Sequence, residues 1–206
     1  RYSSSAASDV YKRQKRNSRK MKKYLVGADE VGRGCLFGPV VAAAVILGNN
    51  NNFELKDSKK LSEKKRIILL SQIERKAIKI SIGHASVKEI DSLNIKEASL
   101  LAMKRAILGL KEKNIKVIVD GIDIPKINYP CKAIIKADDK IPEVMAASIV
   151  AKVHRDNLMI AFSKKYPDFS LEKNKGYPTK EHLNILKSLG PTKYHRKSFK
   201  PVLDAR

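Results

Sequence analysis

Residues 24–47 read Tyr-Leu-Val-Gly-Ala-Asp-Glu-Val-Gly-Arg-Gly-Cys-Leu-Phe-Gly-Pro-Val-Val-Ala-Ala-Ala-Val-Ile-Leu. An apolar run over 24–28 ends in two adjacent carboxylates, Asp29 and Glu30. A Gly32-Arg33-Gly34 turn, able to expose backbone N–H groups, follows, and Val40–Leu47 forms a second apolar run. The pattern predicts two strands that hold paired negative charge at the edge of a core. Like charges beside hydrophobic structure raise each other's pKa unless a cation or a basic neighbour neutralises them. Hard oxygen ligands of this kind suit Mg²⁺ or Mn²⁺ better than Zn²⁺. From the dipeptide alone the ordinary reading is favoured, with Asp29 capping a turn and Glu30 facing solvent, because most acidic residues are exposed. The rest of the chain reverses that preference.

Outward from this stretch, Ala77–Ala85 alternates Ile78, Ile80 and Ile82 as a third strand, and the three strands can form an antiparallel meander. Ile115–Asp120 is a short buried strand, and 133–136 a brief fifth one after a Pro-punctuated loop. Helical spacing appears from 57–65 onward, with Leu61, Ile68, Leu69 and Ile73 on one face and Ser58 or Ser62 as the cap. Further helices are predicted over 87–93, 95–111, 143–165 and Lys180–Leu189, with 48–52 as a loop. Strands followed by helices, with parallel strands late in the order, describe an α/β domain built on a mixed five-stranded sheet.

The chain has 206 residues, enough for one domain with a sizeable core. Lys and Arg number 43 against 21 Asp and Glu, a net charge of +22, which points to a polyanionic partner, nucleic acid first. Residues 1–22 hold eight basic residues and one Asp and show no periodicity. They are expected to be a disordered basic tail, with Met21 the natural start and part of what precedes it foreign; a nucleic-acid-binding arm is the functional alternative. The remainder, 23–206, still carries +15 and is expected to be a single catalytic domain with a helical extension from about 164. No run of about 18 apolar residues suggests a membrane span, and no apolar leader follows the basic start. Cys35 and Cys131 are too few for a disulfide framework or a zinc site, and two thiols in a reducing cytoplasm are expected. Nothing resembles a coiled-coil seam, and a monomer is expected.

Asp120 repeats the pattern of Asp29: a carboxylate at the end of an apolar strand, followed by Gly121. In open α/β sheets that edge is where ligands bind. If the two strands lie side by side and parallel, Asp29, Glu30 and Asp120 converge within reach of one metal ion. Asp138, with Asp139 as its rival, is a candidate fourth carboxylate that could hold a second ion about 4 Å from the first for in-line phosphodiester displacement. An ordinary turn is the competing account of Asp120-Gly121. Along the long helix Ser148, Lys152 and Arg155 fall on one polar stripe, opposite Met145, Ile149, Val153 and Ile160, and could bind phosphates; a solvated face is the usual meaning of such a stripe. Lys59 and Lys60 share that ambiguity. Residues 164–200 interleave ten basic residues with Tyr166, Phe169, Tyr177, Tyr194 and Phe199, a composition suited to tracking a nucleic-acid backbone. Of these, Phe169 and Phe199 are expected in the core and Tyr177 at the substrate. His195-Arg196 can position a phosphate or the tail itself, and His84, His154 and His182 are expected to be structural or exposed.

These residues resemble the ribonuclease HII family over 24–202. The likeness rests on Asp29-Glu30-Val31-Gly32-Arg33-Gly34 with Gly38-Pro39-Val40-Val41-Ala42-Ala43-Ala44, on Asp57-Ser58-Lys59-Lys60-Leu61, and on Val119-Asp120-Gly121. It continues through the stretch from Ala146 to Asp156, through Lys175-Gly176-Tyr177-Pro178-Thr179, and through Gly190-Pro191-Thr192 to His195-Arg196-Lys197-Ser198-Phe199. The resemblance implies an RNase H-like fold with flanking helices and a C-terminal helical extension. It also implies a Mg²⁺- or Mn²⁺-dependent endonuclease that cuts the RNA strand of RNA/DNA hybrids and nicks 5′ of ribonucleotides embedded in duplex DNA. By the same resemblance Asp29, Glu30, Asp120 and Asp138 are the catalytic metal ligands, although the family commonly shows Lys-Gly-Asp where this chain has Lys136-Ala137-Asp138-Asp139. Gly32, Arg33, Gly34 and Tyr177 would sense the junction between a ribonucleotide and the following deoxyribonucleotide. A 2′-OH is the group that separates RNA from DNA at a given position, and backbone between glycines can approach it closely. Lys59, Ser148, Lys152, Arg155 and Arg196 complete the expected substrate contacts. A DNA-processing nuclease of the same fold would not need the Gly-Arg-Gly and Tyr177 pair. A non-catalytic basic RNA-binding protein would leave the strand-end carboxylates unexplained.

Overall fold

The computed structural model describes residues 23–48 and 62–205; the basic tail, the 49–61 segment and Lys59 and Lys60 within it lie outside the described residues. Five strands form one mixed sheet: β1 (Tyr24–Val31), β2 (Val40–Leu47), β3 (Ala77–Ala85), β4 (Ile115–Asp120) and β5 (Cys131–Ile134), in the order β3-β2-β1-β4-β5. The meander β1-β2-β3 is antiparallel, and β4 and β5 join it in parallel.

Every residue of β2 is buried, because helices cover both faces of the sheet; such strands are continuously apolar rather than alternating. Successive side chains still go to opposite faces. Val40, Ala42, Ala44 and Ile46 join a core under the helix α3 (Ile95–Gly109), which follows the short α2 (Val87–Leu93). Ala43, Val45 and Leu47 join a second core under α1 (Glu63–Lys76) and the long α4 (Pro142–Ser163). Ser62 caps α1, its hydroxyl accepting from the Lys65 N–H.

Gly27 sets how closely α4 lies on the sheet. A Cβ there would collide with the backbone of Glu143 and Val144 in the first turn of the helix. Only glycine permits that approach, which places Ser148 and Lys152, one and two turns further on, above the end of β1.

The strand expected at 133–136 lies two residues earlier. Pairing with Val117 through Asp120 fixes its register, and Lys136 turns left-handed at φ 55° and ends the extended run. Helical structure expected to reach 111 stops at Gly109, with Lys111 at φ 52°. Beyond α4, three helices α5 (Leu171–Asn174), α6 (Lys180–Leu189) and α7 (Lys200–Leu203) build a third core around Phe37, Met159, Phe169, Leu186 and Val202, with Phe199 partly buried against it. The two four-residue helices are too short to leave a periodic signature. Among the described residues no helix is long and apolar enough to cross a membrane.

Candidate active site

The parallel register pairs Ala28 with Val119, so the next residue on each strand is Asp29 on β1 and Asp120 on β4. The two carboxylates therefore stand side by side on adjacent strands, Asp120 as the last residue of β4 and Asp29 just before the end of β1. Asp29 is opposite Ala43 and Glu30 opposite Ala42, methyl-sized neighbours that leave room at this edge. Asp29, Glu30 and Asp120 line one cavity of about 310 Å³ together with Ser148, Lys152 and Tyr177. Glu30 and Asp120 also line a second cavity of about 260 Å³ on the other side, with Arg33, Lys96 and Gly121. The acidic cluster thus forms a ridge between two concavities.

The electrostatics show how costly the arrangement is. Burial first, then the Glu30 and Asp120 charges, push the Asp29 carboxyl well above its ordinary range; hydrogen bonds from the Ser148 hydroxyl and the Glu30 N–H, the latter at 2.8 Å, act against that shift. Burial also raises Glu30, opposed mainly by Arg33, whose Nη1 donates to Glu30 Oε1 at 3.2 Å. Glu30 Oε2 is buried and accepts no hydrogen bond. Asp120 Oδ1 accepts the Ala137 N–H at 2.7 Å.

The donor set is all oxygen, anionic and partly unsatisfied, which fits a hard divalent cation and not a soft one. Among the described residues no cluster of three His, Cys, Asp or Glu closes a metal cage. The carboxylates line an open cavity, as expected for Mg²⁺ sites that share their shell with water and phosphate.

Asp138 sits on a 3-10 turn, Ala137–Asp139, directly after Ala137, and is 1% exposed, whereas Asp139 is exposed. Of the two rivals, Asp138 is thus the interior one, tied to Asp120 through its neighbour, but it does not line the cavity of the other three.

Tyr177 is the most exposed of the aromatic residues of 164–200 expected near substrate, and its ring lies 5.8 Å from Lys152 Nζ. Lys152 also pairs with Asp156 at 2.7 Å. Arg66 of α1 lines the same cavity; its basic neighbours Lys64 and Lys65 were the only sequence signal for it. Gly32 turns left-handed at φ 89° and packs on the Arg155 side chain, while Arg33 and Gly34 are exposed.

Two residues expected at substrate phosphates are placed elsewhere. Arg155 is fully buried and donates to the carbonyls of Lys175 at 2.8 Å, Phe37 at 3.0 Å and Pro39 at 3.3 Å. Arg196 is also fully buried and donates to Gly38 at 3.0 Å and Arg33 at 2.9 Å. Both guanidinium groups draw loop carbonyls inward beneath the Gly32-Arg33-Gly34 turn. Loops packed over these side chains turn their donors inward, away from any phosphate on the surface, and Arg196 Nη2 is buried with no hydrogen-bond partner.

Solved structures share this fold. The ribonuclease H2 from Pyrococcus horikoshii OT3 superposes with a TM-score of 0.75 at 26% identity, covering 88% of this chain and 96% of that one. The RNase HII in the PCNA:RNase HII complex from Archaeoglobus fulgidus gives 0.74 at 30% identity, covering 86% and 95%. The fold is that of a ribonuclease H. A family model, Ribonuclease HII, matches residues 26–202. The chain is 53% identical over 179 residues to ribonuclease HII of Hydrogenovibrio crunogenus, covering 87% of this chain and 86% of the relative. Against that of Shewanella halifaxensis it is 52% identical over 183 residues, covering 88% and 90%. The chain belongs to the ribonuclease HII family.

Proposed function

We propose that this ribonuclease H is a divalent-metal-dependent endonuclease that cuts the RNA strand of RNA/DNA hybrids and nicks 5′ of ribonucleotides embedded in duplex DNA. The products would carry 3′-OH and 5′-phosphate ends, and the activity would serve ribonucleotide and primer removal in the cytoplasm by a monomer. The observation that carries the reading is the ridge of Asp29, buried, with Glu30 and Asp120, half-buried, between two concavities, with basic side chains on both sides. A polymer laid across the ridge would place a phosphate at the carboxylates and its flanks against Lys152 and Arg66 on one side and Arg33 and Lys96 on the other.

Asp29, Glu30 and Asp120 would hold Mg²⁺ or Mn²⁺, with Asp138 as the fourth carboxylate. When bound, the ions supply Lewis acidity at the scissile phosphate and lower the pKa of attacking water. The chain's own residues do the rest. Ser148 orients the Asp29 carboxylate through its hydroxyl, and Lys152, held by Asp156, presents positive charge to the phosphate. The exposed Gly32-Arg33-Gly34 turn meets the ribose 2′-OH through backbone groups, and the Tyr177 ring packs on the following sugar, favouring one without a hydroxyl. Lys59 adds phosphate contact. Arg155 and Arg196 set the shape of the turn from beneath.

The test is cleavage of a duplex with a single embedded ribonucleotide, assayed with each metal in turn. Wild-type protein should nick it 5′ of the ribonucleotide. Asp120→Asn should abolish nicking while binding the duplex nearly as well; retained turnover would defeat the assignment.

A further inference from the structure

Beneath Tyr177 runs a hydrogen-bonded chain that the site above does not use. His182 and His195 are both fully buried, and their Nε2 atoms lie 3.2 Å apart. His182 Nδ1 is 2.9 Å from the Tyr177 carbonyl oxygen. His195 Nδ1 is 3.0 Å from the Thr192 backbone nitrogen and 3.0 Å from the Thr192 hydroxyl, which itself accepts the Tyr194 N–H and is free to donate.

The groups at the two ends dictate where the protons are. A carbonyl only accepts, so His182 carries its hydrogen on Nδ1; a backbone N–H only donates, so His195 Nδ1 is bare. Each neutral ring has one N–H. His195 therefore carries its hydrogen on Nε2 and donates it to the bare Nε2 of His182. Reversing either ring would set N–H against N–H or lone pair against lone pair. Burial keeps both rings neutral, lowering His182 and bringing His195 to about 4. The rings are also clamped from the side: Phe37 and Phe169 stand 4.9 and 4.8 Å from the His195 centroid.

We propose that His182 and His195 are positioning residues, a one-way relay that anchors the Tyr177 carbonyl, and hence its ring, to the Thr192 turn. The inference rests on the reading of Tyr177 as the junction sensor. The Thr179 N–H, at 2.8 Å, also donates to that carbonyl from within the same turn. The relay adds the link to a segment fifteen positions further along, which itself bonds to the loop beneath the Gly-Arg-Gly turn: Gly38 N–H donates to the Tyr194 carbonyl and Arg196 N–H to that of Leu36. The two halves of the junction sensor are thereby held in one register.

Long-range ¹H–¹⁵N correlation on the intact protein at pH 7 reads the tautomers directly. His182 should be protonated at Nδ1 and His195 at Nε2; the opposite tautomer in either ring, or an imidazolium, overturns the relay. On the single-ribonucleotide duplex, His182→Ala should raise KM about tenfold, the scale of one buried hydrogen bond, with kcat almost unchanged. His182→Asn, whose amide nitrogen falls where Nδ1 was but which has no atom at Nε2 to meet His195, should restore little of that loss. In a Tyr177→Ala background, His182→Ala should add no further loss. Multiplying losses, a fall in kcat instead of a rise in KM, or full rescue by Asn would overturn the proposal. Should the Ala variant not fold, the tautomers and the Asn variant still decide. If Tyr177→Ala leaves cleavage unchanged, the junction-sensor reading falls and takes the relay's purpose with it, even with tautomers as assigned.

Discussion

Replacing Asp29 with Asn should make the metal-free protein more stable while destroying its activity. Burying an ion costs several kcal/mol after relaxation, and the two hydrogen bonds Asp29 accepts, from the Ser148 hydroxyl and the Glu30 N–H, return roughly 1–1.5 kcal/mol each. With Glu30 and Asp120 adding repulsion, the remaining penalty is about 2 kcal/mol. Asn keeps the shape and, with its oxygen at the Oδ1 position, the bond from the Glu30 N–H without the charge. For a domain of this size about 1 kcal/mol moves the midpoint by roughly 2–4 °C, so D29N should melt about 4–8 °C higher in EDTA at pH 7.5. The pH dependence has a definite sign. A carboxyl raised in the folded state stabilises it below its unfolded pKa, and that stability is lost as pH rises through the folded pKa. The advantage of D29N should therefore shrink as pH falls from 7.5 toward the ordinary carboxylate range. Saturating Mg²⁺ should reverse the order, since a ligand at 100 times its Kd adds about 2.7 kcal/mol to the protein that binds it. Differential scanning calorimetry with EDTA and with Mg²⁺ checks each part. A D29N protein no more stable than wild type in EDTA at neutral pH would refute the argument that this carboxylate is held against its preference.

Three further outcomes are expected. Arg155→Met leaves the carbonyls of Phe37, Pro39 and Lys175 without their donor; at roughly 1–3 kcal/mol per orphaned group, urea unfolding should show a loss of about 3 kcal/mol or more. Gly27→Ala pushes α4 off the sheet; a destabilisation of about 1–3 kcal/mol should come with lower kcat, because Ser148 and Lys152 move with the helix. Duplex binding should weaken with salt at a slope of about −3 to −4 in log K against log salt, if Arg33, Arg66, Lys96 and Lys152 each neutralise one phosphate; titrations at several salt concentrations measure it, and a flat response would remove these four from the contact surface.

The central strands were legible because β1, β2 and β4 are apolar runs too long to be turns, and because the first and third end in Asp at the same relative point. Parallel pairing then follows from topology, and with it the meeting of Asp29 and Asp120. β5 was placed two residues late because a four-residue strand carries almost no periodic signal and takes its register from its partner. Arg155 was misplaced for a different reason. Its spacing from Ser148 and Lys152 puts it on a polar helix stripe, and nothing local announces that loops from more than a hundred residues away will cover it. The same holds for Arg196. The histidine pair was opaque because its meaning lies in which groups stand at its two ends, and those come from Tyr177 and Thr192.

The loop carbonyls beneath the Gly-Arg-Gly turn are gathered by Arg196, near the far end of the chain, while the sheet and its acidic edge are complete once α4 has formed. During translation, then, the sheet and its acidic edge can assemble while the loop beneath the turn still waits for the segment around residue 196 to emerge.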